Sequence, residues 1–556
     1  MRDTISKAIA DSCKDLFDVE PTVELTRPEE AHGDYATNVA LQLAKPLQQN
    51  PREVAEALAA KLRENLSETI SDVSVAGPGF INLTLTDNTL AAALQSKPAQ
   101  SLAGQTIVAE YSDPNPFKVL HAGHLYTSVV GDAIGNLLEQ AGGDVHRVNF
   151  GGDVGLHVGK TMWAIITEFG GEFPDKLNDI PVAERSEWMA KAYVRGTKAY
   201  EDDEQAKAAI TILNKRVYDL HNEGDHDSAF AQIYWTCRQW SYDYFDSFYA
   251  RIGTKFEKYY PESMTAPIGL QTVKEHIGDV YEKSDGAIVF DGEKHGLHTR
   301  VFINSEGLPT YEAKDVGLIM LKKQDYNFDR SVIITGNEQA QYMAVVLKSI
   351  EQFAPELSRA TSHLTHGIVK LQGGVKMSSR KGNFLRAVDV LDEASRANIE
   401  ATGQDNDLTV LGAVKYSFLK SRIGGDIIYD PKESVSLEGN SGPYLQYAHA
   451  RAQSILRKAP GPVTDLEQAE FETDERSLAR KISEYSEVVD KAVTDLMPHH
   501  ICTYLYELAQ TFNRFYEHNR VIEDERQALR LSLVKQYAGT LQSGLKILGI
   551  HAPDKM

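Results

Sequence analysis

Apolar positions change their period several times along the chain, and each change marks a boundary. Behind Pro51, which suits a first helical turn, Val54, Leu58 and Leu62 recur at helical spacing; Phe80 to Leu85 then alternates as a strand does. Residues 1–100 read as a small α+β domain, closed by a polar, Pro- and Gly-containing linker at 95–105. From Thr106 the rhythm becomes strand, loop and helix. Ile107-Val108-Ala109 is followed by a helical pattern from about 123 to 141, stopped by Gly142-Gly143, and by a second strand at 145–150. Val301-Phe302-Ile303, Val332-Ile333-Ile334 and Gly367-Ile368-Val369 read as further strands of the same kind. This alternation predicts an α/β fold: a Rossmann-type parallel-sheet domain over 101–430, with ligands at the carboxyl ends of its strands. Residues 161 to about 253 are mostly helical, and a helical insertion is expected over about 161–290. Beyond Gly439, helical patterns broken at Pro460-Gly461-Pro462 and Met497-Pro498 predict an all-helical C-terminal domain over 431–556.

Composition adds limits. At 556 residues, with 42% hydrophobic and 25% charged residues, the chain fits several packed domains and excludes wholesale disorder. A net charge of -21 argues against coating nucleic acid by bulk attraction, though a local basic face stays open. From Pro431 onward 15 Lys and Arg stand against 18 Asp and Glu, so most of the acidity lies elsewhere. Cys13, Cys237 and Cys502 are far apart and form no CxxC pair, which supports neither a disulfide framework nor a cysteine-rich metal site. With no apolar run near the ~18 residues of a spanning helix, a cytoplasmic protein away from membranes is expected.

Two segments carry chemistry. Glu110-Tyr111-Ser112-Asp113-Pro114-Asn115-Pro116 leads into His121-Ala122-Gly123-His124, where a strand hands over to a helix. Free N–H groups and the positive end of the helix dipole attract phosphate there, and small residues let a nucleotide approach the backbone. Capping or zinc-binding histidines are the alternative. The second segment, Gly373-Gly374-Val375-Lys376-Met377-Ser378-Ser379-Arg380-Lys381-Gly382-Asn383, offers three cations and two hydroxyls to a triphosphate, or is a solvated basic turn.

Together, about 250 residues apart and each after a predicted strand, they change the reading. The chain resembles the class I aminoacyl-tRNA synthetases, with His121-Ala122-Gly123-His124 standing for the HIGH motif and Lys376-Met377-Ser378-Ser379-Arg380 for KMSKS. Within that class it resembles the arginyl-tRNA synthetases. Ser112-Asp113-Pro114-Asn115-Pro116, His32-Gly33-Asp34-Tyr35-Ala36-Thr37-Asn38, the stretch opening Gly442-Pro443-Tyr444-Leu445-Gln446-Tyr447, and the final Gly544-Leu545-Lys546-Ile547-Leu548-Gly549-Ile550 carry that likeness over nearly the whole chain. The resemblance implies activation of L-arginine by ATP with Mg²⁺, then transfer to the terminal ribose of tRNA(Arg) by 2′-hydroxyl attack. It assigns catalysis to His121, His124 and Lys376, with Lys381 as the candidate for the last lysine of KMSKS and Arg380 or neither as the alternatives, and ATP binding to His121, Gly123, His124, Lys376, Met377, Ser378 and Ser379. Arginine falls to Glu110, Asp113, Asn115, Tyr311, Asp315 and Gln339; carboxylates in fixed orientation match a guanidinium fork. On their own, Asp315 could be a surface charge and Tyr311 a core aromatic. The helical domain is implied to read the anticodon, with Tyr444, Tyr447, Asn513, Arg514, Tyr516 and Met556 as candidates, and the N-terminal domain to meet the tRNA elbow. A monomer with no resident metal is expected.

Three departures stand out: the basic loop has Ser379-Arg380 where the general pattern has Lys-Ser, and two positions near the histidines differ. Asp113 occupies a position where the family usually has Ser, and Tyr126 one where it has a cation. Two look-alikes are set aside: Gly155-Leu156-His157-Val158-Gly159-Lys160-Thr161 lacks the first glycine of a Walker loop, and the aromatic-rich stretch from Tyr234 to Tyr249 reads as core rather than an RNA-stacking face. Another nucleotidyltransferase of the same fold, or an inactive tRNA-binding paralogue, are the competing classes. The Gly442 stretch weighs against the first, and His121, His124 and Lys376 against the second.

Overall fold

A computed structural model of the chain describes residues 1–372, 385–459, 466 and 469–556. In the N-terminal domain, helices α2 (Val39–Leu47) and α3 (Pro51–Asn65) pack on an antiparallel sheet, and α1 (Arg2–Phe17) packs against α3. The strand order of the sheet is β1 (Tyr35–Thr37), β3 (Phe80–Leu85), β2 (Ile70–Ala76), and α4 (Asp87–Ala93) follows. Helix α3 starts where Asn50 accepts the Arg52 N–H at 2.9 Å and proline takes the first helical position, where no N–H is needed.

The central domain is built on a five-stranded parallel sheet. From β4 (Thr106–Glu110), β5 (Asp144–Gly151) and β6 (Lys258–Pro261) lie on one side, and β10 (Arg330–Gly336) and β11 (Thr361–His366) on the other. Chain order reverses at β4, so a crevice opens beyond its carboxyl end. Helix α5 (Ala122–Gln140) links β4 to β5, and is buried along almost its whole length because α14, α15, α19 and α21 pack around it; α14 spans Ala387–Thr402, α15 Asp407–Leu419, α19 Tyr485–Asp495 and α21 Gln527–Ile547. Between β5 and β6 stand α6 (Leu156–Phe169), α7 (Arg185–Asp202), α8 (Glu204–Glu223) and α9 (Ala229–Ile252).

Two expectations need correction. The helical insertion ends before residue 258 rather than near 290, because Lys258–Pro261 hydrogen-bonds into the main sheet as β6 and α10 (Glu262–Glu275) packs against α11 (Tyr311–Tyr326). Residues 301–303 do not join the parallel sheet. They lie in β9 (Arg300–Ile303), antiparallel to β8 (Ala287–Phe290), itself hairpinned to β7 (Glu282–Ser284). The hairpin turns through Asp285 and Gly286, both at positive φ (48° and 81°), the two-residue turn that an Asp-Gly pair favours. Helices α12 (Ala340–Phe353) and α13 (Pro355–Ala360) lead from β10 to β11. Short strands β12 (Val369–Leu371) and β13 (Ile427–Tyr429) pair beside them, and α16 (Pro431–Ser434) follows.

The C-terminal domain is helical: α17 (Gly442–Lys458), α18 (Thr473–Ser483), α19, α20 (His499–His518) and α21. Its α18 carries the N-terminal domain. Asp34 is buried, accepts the Leu85 N–H at 2.7 Å, and is ion-paired with Arg476 at 2.7 Å and Arg480 at 3.4 Å; Tyr35 OH and Arg27 meet Glu487 of α19. The preceding Gly33 sits at φ 93°, where a Cβ would come 2.8 Å from the Leu83 carbonyl. The His32–Asn38 motif therefore docks one domain on another. Asp34→Ala leaves two guanidiniums short of a partner and is expected to cost about 2 kcal/mol, read as a lower thermal midpoint and earlier proteolysis between the domains. All three cysteines are buried and free, and no described helix is long and apolar enough to cross a membrane.

Candidate active site

A cavity of about 780 Å³ occupies the crevice. The loop after β4 lines it with Ser112, Asp113 and Asn115, the first turn of α5 with His121, Gly123 and His124, the end of β10 with Gly336 and Gln339, and the end of β11 with His366.

The first turn of α5 is a reciprocal cap made by two imidazoles. His121 Nδ1 accepts the Gly123 N–H, His124 Nδ1 accepts the His121 N–H, each at 3.0 Å, and the rings stack 3.7 Å apart. A Cβ on Gly123 would lie 2.8 Å from the His121 ring, so glycine is what lets that ring fold back. With both Nδ1 atoms taken as acceptors, the neutral rings carry their hydrogen on Nε2. Burial in the cavity wall, the Lys118 charge and the neighbouring imidazoles push the His121 proton affinity down to about 4 and that of His124 well below the usual range. His121 is exposed and lines the cavity. The pair is thus two neutral N–H donors at a helix N-terminus, a place suited to phosphate. The pH profile of kcat/KM for ATP, which reports the free protein, is expected to stay flat above about pH 5 as far as these rings decide it. An acid limb near pH 6.5 that vanishes in His124→Asn would contradict this assignment.

Two groups that sequence reading passed over stand here. Lys118, three residues before His121, faces His121, His124 and His157 electrostatically, and its amine lies 4.6 Å from the Tyr193 ring; its place in the loop was the available signal. His366 is buried, donates from Nδ1 to the Gly367 carbonyl at 2.7 Å and meets Thr127 Oγ1 at 2.6 Å. Nothing local marks it. Tyr126 lies fully buried between His366 and Phe418, so it faces the core and not the cavity. His157 of the Walker look-alike is also buried, and caps the Gly152 carbonyl at 2.7 Å.

Beside the histidines lies a nest of carboxylates. Glu110 and Lys322 are both enclosed and form an ion pair, with Ser331 Oγ 3.2 Å from the ammonium; Glu110 is therefore a partly neutralised group rather than the free acceptor its position in the sequence suggested. Asp113 follows it in a left-handed backbone conformation (φ 50°) and accepts the Phe150 N–H at 2.8 Å. Asp315, one turn after Tyr311 on α11, is buried as well. Burial first, then repulsion by Glu110, lifts Asp113 and Asp315 well above the usual carboxylate range, partly offset by Lys322. Such a cluster favours a cation. Asn115 Oδ1 accepts the Gly152 N–H at 2.8 Å, which leaves its amide hydrogens to donate. Buried Glu262 and Lys314 pair at 2.5 Å behind Gly152. Asp113, Asn115 and Gln339 line the cavity; Glu110 and Asp315 stand behind it, and Tyr311 is 58% exposed at the start of α11. Lys376, Met377, Ser378, Ser379, Arg380 and Lys381 fall outside the described residues.

Comparison with known proteins fits this geometry. Residues 1–85 match the arginyl tRNA synthetase N-terminal domain, 87–430 the class I (R) tRNA synthetase catalytic domain, and 445–556 the DALR anticodon-binding domain. The chain belongs to the arginyl-tRNA synthetase family. It is 28% identical to the arginine–tRNA ligase of Phocaeicola vulgatus over 96% of each chain, and 30% identical to that of Picosynechococcus sp. over 98% of this chain and 96% of the other. The Thermus thermophilus arginyl-tRNA synthetase superimposes with a TM-score of 0.81 at 26% identity, covering all of both chains.

Within the family's anticodon-binding domain, several candidates come together on α17 and α20. Tyr444 OH accepts from Asn513 Nδ2 at 2.8 Å, the Arg451 guanidinium lies 4.6 Å from the Tyr516 ring, and Tyr447 and Arg514 are exposed. Met556 is exposed at the end of the chain. The aromatic stretch of α9 is mostly buried, as core.

Proposed function

We propose that this chain joins L-arginine to tRNA(Arg) in two steps. The arginine carboxylate attacks the α-phosphate of ATP in line, pyrophosphate leaves and arginyl-adenylate forms; the 2′-hydroxyl of the terminal tRNA ribose then attacks the arginyl carbonyl, the acyl–phosphate bond breaks, AMP leaves and the hydroxyl proton is released. The observation that carries this reading is the juxtaposition, in one crevice, of a cation-favouring carboxylate nest with two neutral imidazole donors at a helix N-terminus.

Asp113, Asp315 and the remaining capacity of Glu110 hold the guanidinium, with Asn115, Tyr311 and Gln339 orienting the rest of the amino acid. The Nε2–H groups of His121 and His124 donate to phosphate oxygens as charge builds on them, and Gly123 lets the nucleotide close on the backbone. The resemblance adds Lys376 and Lys381, with Met377, Ser378 and Ser379, to the groups that meet the phosphates, and Lys118 adds a charge beside the histidines. Mg²⁺ enters with the triphosphate, as part of the nucleotide substrate. The tRNA is read by Tyr444, Tyr447, Asn513, Arg514, Tyr516 and Met556, and the reaction is placed in the cytoplasm on a single chain. Pyrophosphate exchange with each amino acid, run with and without tRNA, tests the assignment: arginine alone is expected to support it, and exchange with any neutral amino acid at a comparable rate would falsify it.

A further inference from the structure

The loop that carries Asp113 and Asn115 is bent against the preference of its own residues. Ser112 (φ 78°), Asp113 (φ 50°) and Phe117 (φ 66°) all hold left-handed backbone conformations, and none is glycine. Such a bend persists only when neighbours over-determine it. Asp113 and Asn115 are pinned from one side by the Phe150 and Gly152 N–H groups at the end of β5. The other two fixings, at Ser112 and Phe117, come from the insertion helix α9.

Ser241 and Tyr249 lie two turns apart on α9, on the buried stripe that also holds Phe245. Ser241 Oγ accepts the Phe117 N–H at 2.9 Å and donates to the Cys237 carbonyl at 2.9 Å. Tyr249 OH lies 2.7 Å from Ser112 Oγ and accepts from Asn149 Nδ2 at 3.2 Å. Ser128 Oγ donates to the His124 carbonyl at 2.7 Å and lies 2.9 Å from Ser112 Oγ. A connected run of hydrogen bonds thus leads from Asn149 of β5 through Tyr249 of α9 and Ser112 of the substrate loop to Ser128 and the His124 carbonyl in the first turns of α5.

The geometry points to Tyr249 and Ser241 as positioning residues that hold the 112–117 loop in its bent form, so that Asp113 and Asn115 meet the substrate amino acid in register with the HIGH turn. Neither touches the substrate. The inference rests on the reading of that loop as the arginine site. It gives the aromatic helix of the insertion a task beyond packing, since its ring surfaces fill the core while one phenol and one serine hydroxyl act on the loop.

Tyr249→Phe keeps the ring and removes one oxygen. In steady-state aminoacylation of the full chain, KM for arginine is expected to rise about tenfold, the scale of one buried hydrogen bond that fixes a binding loop, with KM for ATP changed less than about twofold and little change in thermal midpoint. Ser112→Ala should do the same, and the double variant should add almost nothing to either single one, because all three break one chain. Ser241→Ala is expected to raise KM for arginine by a similar factor. An arginine KM in Tyr249→Phe equal to that of the parent overturns the inference, as does a fall in thermal midpoint with KM unchanged, which would mark the phenol as core alone. If the parent itself turns over a different amino acid, the functional reading falls, and the same comparison made with that amino acid decides the role of Tyr249.

Discussion

His124→Ala is expected to slow adenylate formation by about 10²- to 10³-fold while leaving arginine affinity within about twofold, because the lost group meets charge that exists only as the phosphate reacts. The imidazole does two things that substitution can separate. Its Nδ1 accepts the His121 N–H and so closes the cap of α5, and on the proposed function its Nε2–H donates to phosphate. Asparagine places an oxygen near the old Nδ1 position; it should restore the cap and the thermal midpoint without restoring the rate. Glutamine carries a donor out to the Nε2 position, and should recover part of the rate. Single-turnover pyrophosphate exchange orders the variants as parent, Gln, Asn, Ala. Should Asn match Gln, the ring would serve the helix and not the phosphate. The His121 ring caps Gly123 and stacks on His124, so its removal is expected to combine loss of a donor with loss of order in the turn.

The chain announces its helices and strands more clearly than its partners. Helix α5 is bounded in sequence by a capping signal and by Gly142-Gly143, and it ends at Gln140; the period of Val54, Leu58 and Leu62 and the proline before them mark α3 at both ends. What failed was the assignment of strands to sheets. Val301-Phe302-Ile303 has the composition of a parallel strand, and only the Asp285-Gly286 turn upstream shows that a hairpin precedes it. Four residues, Lys258–Pro261, are too few to carry a period, so β6 hid within the helical insertion. In the site, local spacing located the histidine turn and the loop before it, because capping and strand-to-helix handover are local physics. Lys322, seven residues beyond Asp315 on α11, reaches Glu110 from another strand's crossover, and His366 reaches Thr127 across the crevice. Contacts between residues over two hundred positions apart leave no mark in a single sequence.

The carboxylate nest sets the largest effect on substrate choice. Asp315→Asn is expected to raise KM for arginine by about 10²-fold or more: Asp315 is buried, and on the proposed reading the change removes a charge that pairs with the guanidinium from behind the cavity wall, shielded from water, where pairing is strongest. Selectivity should weaken along with affinity: with one acceptor gone, lysine, which leaves acceptors unpaired in the parent, loses less than arginine does. The parent is expected to charge neither lysine nor citrulline efficiently. Protons report on the same cluster. Burial and Glu110 raise Asp113 and Asp315, so part of the free protein holds a carboxyl proton at pH values where an ordinary Asp has lost it. A guanidinium favours the ionised form, and its binding expels that proton. Affinity for arginine therefore rises as pH climbs through the raised range and levels off above it, the direction opposite to that of a site that must be protonated to bind. Calorimetry in buffers of different ionisation enthalpy should find proton release on arginine binding, and less of it in Asp315→Asn. Proton uptake would mean that the nest binds its ligand in some other charge state, and a variant with unchanged KM would place the guanidinium away from α11.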